Sequence, residues 1–405
     1  MWKVLRRYQG ESYNETPEAN ITYASGAKLA TVVDDDDSTK VIDPFVVNQR
    51  TIAGHQCRPY TKPLDPMKLT APYDRLIYSK MIEHTKHENV DMRRKALTYL
   101  LELYGFKGEH VVASLKDGAL PALVKCLTDV DEEVRISACV ALELIAAQPK
   151  GQEAILAGGF LKQFIAVVDD TSTEVVSEGL RLLWCTHMAF NEFACTAELI
   201  KLGCIEKYVE KGNSPSDEVA CMALAALGKV FDVKEAFIAV LDASAMQTIT
   251  KALDSRTDPM LLVEAAECAG KLAFYSAGKR AAVQCRTASA LMPLLQHTNP
   301  AVRTSASGAL VACTISEAGK LQAIDCGVVD CLIEALGSET ERDVLVNEVK
   351  TLCNISEQPY ARLQLHKLIP RLEEIAEIGS EHESLVASVQ KALKMVQWQP
   401  GDPYE

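Results

Sequence analysis

The sequence predicts an all-α solenoid, and three observations carry that prediction. A turn followed by apolar residues returns at Gly118-Ala119-Leu120, Gly159-Phe160-Leu161, Gly203-Cys204-Ile205, Ser244-Ala245-Met246, Ser289-Ala290-Leu291, Gly327-Val328-Val329 and Lys367-Leu368-Ile369, at intervals of 41, 44, 41, 45, 38 and 40 residues. A second marker pairs a small or permissive residue with a helix end six positions later: Ala96/Glu102, Ala138/Leu144, Gly179/Cys185, Ala223/Lys229, Ala265/Lys271, Ala306/Ala312 and Glu348/Asn354. Its second members are spaced by 42, 41, 44, 42, 41 and 42 residues. Third, the chain is 48% hydrophobic but only 6% aromatic, so its core is built from Ala, Leu and Val, which suit close helix packing. Length alone would favour two or three globular domains, but repeats stack along one axis without dividing. A period near ~42 residues is that of armadillo and HEAT arrays, so the expected architecture is a right-handed armadillo/HEAT-type α-solenoid of about 7–8 repeats.

One unit, Asn299 to Leu336, shows how the pattern is built. Asn299-Pro300 opens a helix with proline at the first position, where its missing N–H costs nothing. Ala306, Ala309, Leu310 and Cys313 recur at helical spacing and make one apolar face. A break at Ser316–Gly319 leads into a short helix, Gly327 permits a sharp turn, and Val328 to Leu336 begins the next helix. No helix of this unit can bury its face alone.

In chain order, residues 1–65 read differently from the rest. Pro17, Pro44, Pro59 and Pro63 interrupt them, Asp34 to Asp37 form an acid run, and no helical period survives. They are expected to form an extended arm, with Phe45, Val46, Val47, Ile52 and Tyr60 docking on the solenoid or on a partner. Residues 66–400 form the repeat solenoid and 401–405 a tail. The first repeat ends in RRKALTYLLELY; the second carries the turn Thr128-Asp129-Val130-Asp131, whose acids suit a helix cap. The third is the one with a tryptophan, Trp184, in its long helix. The fourth and fifth start their long helices at Ser214-Pro215-Ser216-Asp217 and Asp258-Pro259. The eighth has Glu373, Glu374, Glu377 and Glu381 on a polar outer face, as a terminal repeat requires.

Composition excludes several function classes. With 42 basic against 55 acidic residues the net charge is −13, which argues against a nucleic-acid backbone or an anionic membrane as main partner. Among 13 cysteines, Cys126, Cys139, Cys268, Cys313 and Cys331 fall in the apolar pattern and no CxxC occurs, so they read as packed thiols of a reducing compartment. No run of about twenty apolar residues occurs. The chain therefore reads as soluble and intracellular, and the sequons at Asn14, Asn20 and Asn354 as inert.

Each chemical constellation has a plain alternative. His84 and His87 lie three apart on a helix but lack further ligands at metal spacing, and the Asp34–Asp37 run lacks the glycine and final glutamate of a calcium loop. Gly158-Gly159 is followed by no lysine, and neither G-x-S-x-G nor H-E-x-x-H occurs. No catalytic residue, metal, cofactor or small-molecule substrate is expected. The long helices of armadillo arrays line a concave groove, where nuclear import receptors set ladders of Asn and Trp that clamp a peptide. Here the ladder position holds Glu102, Leu144, Cys185, Lys229, Lys271, Ala312 and Asn354, one Asn in seven. Trp184 is either a packing residue or a single partner anchor. Arg93-Arg94-Lys95 and Lys229/Lys271 are either solvated helix faces or contacts for an acidic protein surface or tail. The candidate partner-binding residues are thus Phe45, Val47, Tyr60, Glu102, Trp184, Lys229, Lys271 and Asn354.

The segments SASGALVACTISEAGKLQAIDCGVVDCLIEAL, RRKALTYLLELY and LVKCLTDVDEEVRI, with the closing Trp398-Gln399-Pro400, resemble the radial spoke head 14 homologue family, armadillo proteins of ciliary and flagellar axonemes. The resemblance covers roughly residues 66–400; the 65-residue arm departs from that family's compact start. It implies a non-enzymatic scaffold subunit of the radial spoke. Such a subunit would be made in the cytoplasm, reside in the axoneme with other spoke subunits as partners, and help regulate dynein-driven beating. The alternative is a soluble armadillo adaptor or transport receptor that binds a cargo peptide in its groove.

Overall fold

The computed structural model describes residues 76–187, 193–233, 236–378 and 381–399, and among these there are helices and turns but no strand. The first repeat contributes α1 (Leu76–His84) and the long α2 (Val90–Phe106). Each later repeat has a first helix, a second helix and a long third one. The second repeat has α3 (Gly108–Lys116), α4 (Ala119–Cys126) and α5 (Glu132–Ala146). The third has α6 (Pro149–Gly158), α7 (Leu161–Val167) and α8 (Thr173–Thr186). The fourth has α9 (Ala194–Lys201), α10 (Cys204–Gly212) and α11 (Asp217–Val230). The fifth has α12 (Ala236–Asp242), α13 (Ala245–Ser255) and α14 (Pro259–Ala273). The sixth has α15 (Ser276–Cys285), α16 (Thr287–Leu291) with a 3-10 extension, and α17 (Pro300–Cys313). The seventh has α18 (Glu317–Asp325), α19 (Val328–Ser338) and α20 (Arg342–Ser356). The eighth has α21 (Pro359–Leu365), α22 (Ile369–Ile378) and α23 (Glu383–Gln397). Each of the eight long helices packs on the next, so this row is the spine of the array.

Local chemistry sets where the long helices start. The side chains of Asn89, Asp131, Ser172, Ser216, Asp258 and Asn299 each accept a hydrogen bond from a backbone N–H of the first turn. Such a cap is worth ~1 kcal/mol because it satisfies a donor the helix leaves open. Pro259 and Pro300 sit at the first position, as their sequence context predicts.

The turn between the first and second helices is left-handed at Gly118, Gly159, Gly203, Ser244, Arg286 and Gly327. Two of the turn residues expected from sequence are therefore corrected. Ser289 lies inside α16, and the left-handed residue is Arg286 (φ 58°). Lys367 lies in a 3-10 turn, His366–Leu368. With Arg286 in place the intervals become 41, 44, 41, 42 and 41 residues. A backbone geometry normally given to glycine recurs more evenly than the residue type does.

The small-residue column forms the inner contact of the spine. Ala96, Ala138, Ala223, Ala265 and Ala306 are fully buried. At Gly179 an added Cβ would stand 2.7 Å from Val167 Cγ1, so alanine there would require Val167 to shift. Glu348 occupies the same column in the seventh repeat and is 1% exposed. Close approach also governs the turn into the first helix. A Cβ at Gly151, Gly278 or Gly319 would meet the carbonyl oxygen of Ile145, Leu272 or Cys313 within 2.0 Å.

A second device ties the N-terminal ends of some long helices together. Arg93, Arg135 and Arg303 occupy one register position near the start of α2, α5 and α17. Each donates from Nη1 to two carbonyls of the loop before its helix, and reaches forward to the acid at Asp129, Asp170 or Glu339 of the next repeat. The array closes on Trp398. The Arg362 guanidinium lies 4.7 Å from its ring centroid while Nε and Nη2 bond the carbonyls of Ser356 and Glu357 at the end of α20. The terminal tryptophan thus covers the arginine that caps the last internal long helix.

Candidate protein-binding face

The ladder positions fall in the last turns of the long helices, where the expected register places them. Glu102 and Lys271 are exposed; Leu144, Lys229, Ala312 and Asn354 are half-buried; Cys185 is buried. Two of these side chains bind the preceding rung. Lys271 Nζ donates to the Gly228 carbonyl at 2.9 Å, and Asn354 Nδ2 donates to the Val311 carbonyl at 3.3 Å and to Thr314 Oγ1 at 3.2 Å. Gly228 and Val311 each immediately precede a ladder residue, so Lys271 and Asn354 make the same inter-repeat bond with different donors.

Trp184 is half-buried on α8, and Lys229 Nζ lies 5.1 Å from its ring centroid. The attraction of an ammonium for the ring face fixes both side chains across the α8–α11 contact. Glu264 of α14 lies within electrostatic reach of Lys229. Burial raises its carboxyl above the ordinary range and Glu267 adds to that, while Lys271 and Lys229 pull it back. The structure therefore joins Trp184 to Lys229, and sets Glu264 within electrostatic reach of Lys229 and Lys271, on the three central long helices. Glu102 and Asn354 belong to distant repeats and do not join them. Phe45, Val47 and Tyr60 lie outside the described residues.

Sequence reasoning missed a polar group beneath this face. Cys185 Sγ donates to Glu143 Oε1 at 3.6 Å, and Glu143 is 7% exposed, its carboxyl pushed up to about 7 by burial. Gln152 Nε2 bonds the carbonyls of Cys185 and Thr186 at 3.3 Å each. His187 is fully enclosed, with Nε2 at 2.7 Å from Tyr208 Oη and Nδ1 at 3.1 Å from Thr196 Oγ1. Burial lowers its pKa to about 3, so it is a neutral core group near pH 7.

The remaining sequence candidates have structural assignments. Arg93 is committed to Asp129, and Arg94 to Asp131 and Glu133, so the basic pair serves repeat stacking. His87 Nδ1 accepts from the Asn89 backbone at the start of α2. Twelve cysteines fall among the described residues as free thiols. Cys126, Cys139, Cys268 and Cys313 are buried as expected, whereas Cys331 is only half-buried. No described group of three or more His, Cys, Asp or Glu side chains is arranged to hold a metal, and no described helix is long and apolar enough to cross a membrane. A cleft of about 520 Å³ opens at the opposite ends of α17 and α20, between Gln296, Thr298, Glu334 and Ser338. Its one arginine, Arg303, is already bound to Glu339 at 2.6 Å.

This arrangement offers hydrogen-bond donors, a cation and an aromatic face along a helical wall, which is the chemistry of binding a polypeptide. The armadillo/β-catenin-like repeat family matches residues 109–147, the second repeat. An engineered protein of known structure superposes with a TM-score of 0.68 at 22% identity, covering 80% of this chain and 79% of its own. A designed armadillo repeat protein in complex with the peptide (KR)4 does so with a TM-score of 0.54 at 24% identity, over 58% of this chain and 99% of its own. The chain has the fold of the armadillo class of α-solenoids. Within that class it is similar to radial spoke protein 14 of Chlamydomonas reinhardtii, 29% identical over 132 residues, in agreement with the family read from the residues. The matched segment spans 32% of this chain and 34% of that protein.

Proposed function

We propose that this chain is a non-enzymatic scaffold subunit of the axonemal radial spoke, holding other spoke proteins and so supporting the regulation of ciliary and flagellar beating. The observation that carries this reading is the match to radial spoke protein 14. The uninterrupted spine of eight long helices supports it, because such a wall offers many contacts in a fixed order. In this proposal Trp184, Lys229 and Lys271 form the central contact of the long-helix face, Glu102 and Asn354 flank it, and residues 1–65 act as a partner-binding arm through Phe45, Val47 and Tyr60. Mass spectrometry of purified axonemes tests it. The chain is expected to survive detergent and high-salt washes and to leave with the spoke fraction on chaotropic extraction. Loss into the soluble fraction would remove the spoke assignment and leave the armadillo fold intact.

One observation favours a second reading, a soluble adaptor that binds a cargo peptide. The designed relative holds a basic peptide, whereas the central rungs here are Lys229 and Lys271, so a groove ligand of this chain would be acidic. A peptide array returning one linear acidic motif, with the chain absent from axonemes, would select this reading.

A further inference from the structure

We propose that the C-terminal edge of repeats five to seven, centred on α15, is a docking surface for an acidic polypeptide segment that carries hydrophobic side chains. This surface runs from the first helices to the C-terminal ends of the long helices, and its proposal does not depend on the axonemal assignment.

Sequence supplies the first observation. In a chain of net charge −13, residues 268–316 contain no Asp or Glu, yet hold Lys271, Lys279, Arg280, Arg286 and Arg303. Arg303 is neutralised from outside the run by Glu339. Lys279, Arg280 and Arg286 make no ion pair among the described residues, and both arginines are exposed. A sequence rich in acid elsewhere has left this one region uncompensated.

Register supplies the second. The first helices α12, α15 and α18 stack on one another. Counted back from the left-handed residues Ser244, Arg286 and Gly327, the position four before each turn is buried: Val240, Ala282 and Ala323. The position six before is exposed and holds Ile238, Arg280 and Leu321. A row of equivalent outward positions thus alternates apolar, basic, apolar. Two more apolar side chains follow the ladder residues by three positions at the same ends of the long helices. Phe274 is 70% exposed and Ile315 is 46% exposed, beside Ile238 at 70% and Leu321 at 46%. Phe274 stacks edge-on against Tyr275, which in turn packs on Phe237, so the aromatic part of the edge is held in place.

Unpaired cations in one register with exposed apolar side chains complement a segment of opposite charge whose own apolar residues cover them. Charge steers the encounter and the apolar contacts retain it. Solvation alone accounts for scattered exposed Leu or Ile, but not for their alternation with uncompensated arginine in one register.

The test is fluorescence anisotropy of the full chain with a labelled peptide of repeating Glu-Glu-Phe. Saturable binding is expected, weakened by added salt. The double variant Lys279→Glu/Arg280→Glu and the variant Phe274→Ser should each weaken it by about tenfold, while Lys229→Glu in the groove should change it by less than about twofold. Circular dichroism melts of each variant establish that it is folded. Four results would overturn the proposal. The first is an absence of saturable binding. The second is loss of binding with Lys229→Glu and retention with the edge variants, which would assign the peptide to the groove. The third is equal competition by polyglutamate lacking Phe or by a single-stranded oligonucleotide, which would make the edge a general polyanion surface. A dimer that dissociates in the edge variants would likewise assign the surface to a second copy of the chain.

Discussion

From α2 to α8 successive long helices are tied at their N-terminal ends by an arginine that reaches an acid one repeat ahead, whereas from α8 to α17 the same register position holds Val176, Ala220 and Leu262. These three are buried. The central repeats lack this forward strap, keep one backward link from Arg256 to Asp217 and the Ser214 and Pro215 carbonyls, and add close approach along their long helices. A Cβ on Gly270 would lie 3.3 Å from Ala309 Cα, and one on Gly228 would lie 3.3 Å from Cys268 Sγ. In the second repeat the position equivalent to Gly228 and Gly270 holds Glu143, and in the first it holds Leu101. One fold therefore joins its units in two ways. A strap tolerates larger side chains between helices, and close packing demands their absence.

The sharpest break of this contrast is to fill the central contact. Gly270→Leu should destabilise the chain by about 3 kcal/mol and Ala306→Leu by about 2 kcal/mol, because a dense contact must open to admit them. Thermal unfolding and hydrogen exchange of α14 and α17 would measure it. An unchanged melting profile for both variants would mean the assigned face is not closely packed.

Next in size is a pH effect in the strapped seventh repeat. Both carboxylate oxygens of Glu348 are buried without a hydrogen-bond partner. Burial first, and then the charge of Glu339, push its carboxyl up to about 8, with Arg303 opposing. The folded state thus keeps a proton that the unfolded chain releases near its ordinary carboxylate value, so stability falls as pH rises from that value to about 8. The loss between pH 6 and pH 8 should be on the order of 2 kcal/mol, and Glu348→Gln should remove most of it. Denaturant melts at the two pH values, with Glu143→Gln as a second variant for the carboxyl at about 7, give the measurement. A slope that persists unchanged in both variants would locate the proton elsewhere.

Breaking a strap should cost less. Arg303→Ala removes a carboxylate pair and two carbonyl bonds, but Glu339 keeps the backbone N–H groups of Thr340 and Glu341. The expected loss is about 1–2 kcal/mol, with local exchange rising at the start of α17. If Arg303→Ala were as damaging as Gly270→Leu, straps and close packing would not be separable devices.

Sequence made the period, the caps and the small-residue column legible because each depends on one residue's own preference. Asp131, Ser216 and Pro300 announce helix starts without any knowledge of neighbours. The left-handed turn at Arg286 was illegible because a residue with a Cβ holds a conformation normally given to glycine. The straps were missed for a different reason. Arg93 and Asp129, or Arg303 and Glu339, meet only when the array is stacked. A search for arginine followed by an acid 35–36 residues later would have found them. Glu348 stood in the small-residue column from the start, and its difference in size and charge was the signal. Of the candidate site, the ladder register was readable, but the pairing of Trp184 with Lys229 needed the inter-repeat offset.

The smallest effect bears on Trp184, for which sequence left two roles open. If the ring only packs, Trp184→Ala and Lys229→Ala should act independently. If the ammonium is held on the ring face at 5.1 Å, a double-mutant cycle should return a coupling of about 0.5–1 kcal/mol at this half-buried site. That coupling bears on function as well as stability. A lysine already seated on an aromatic ring loses little further freedom when an acidic partner arrives, so the central rung is preorganised in a way the exposed Glu102 is not. A coupling near zero would leave Trp184 as a packing residue, and would make Lys271, fixed by the Gly228 carbonyl, the one ordered cation of the central face.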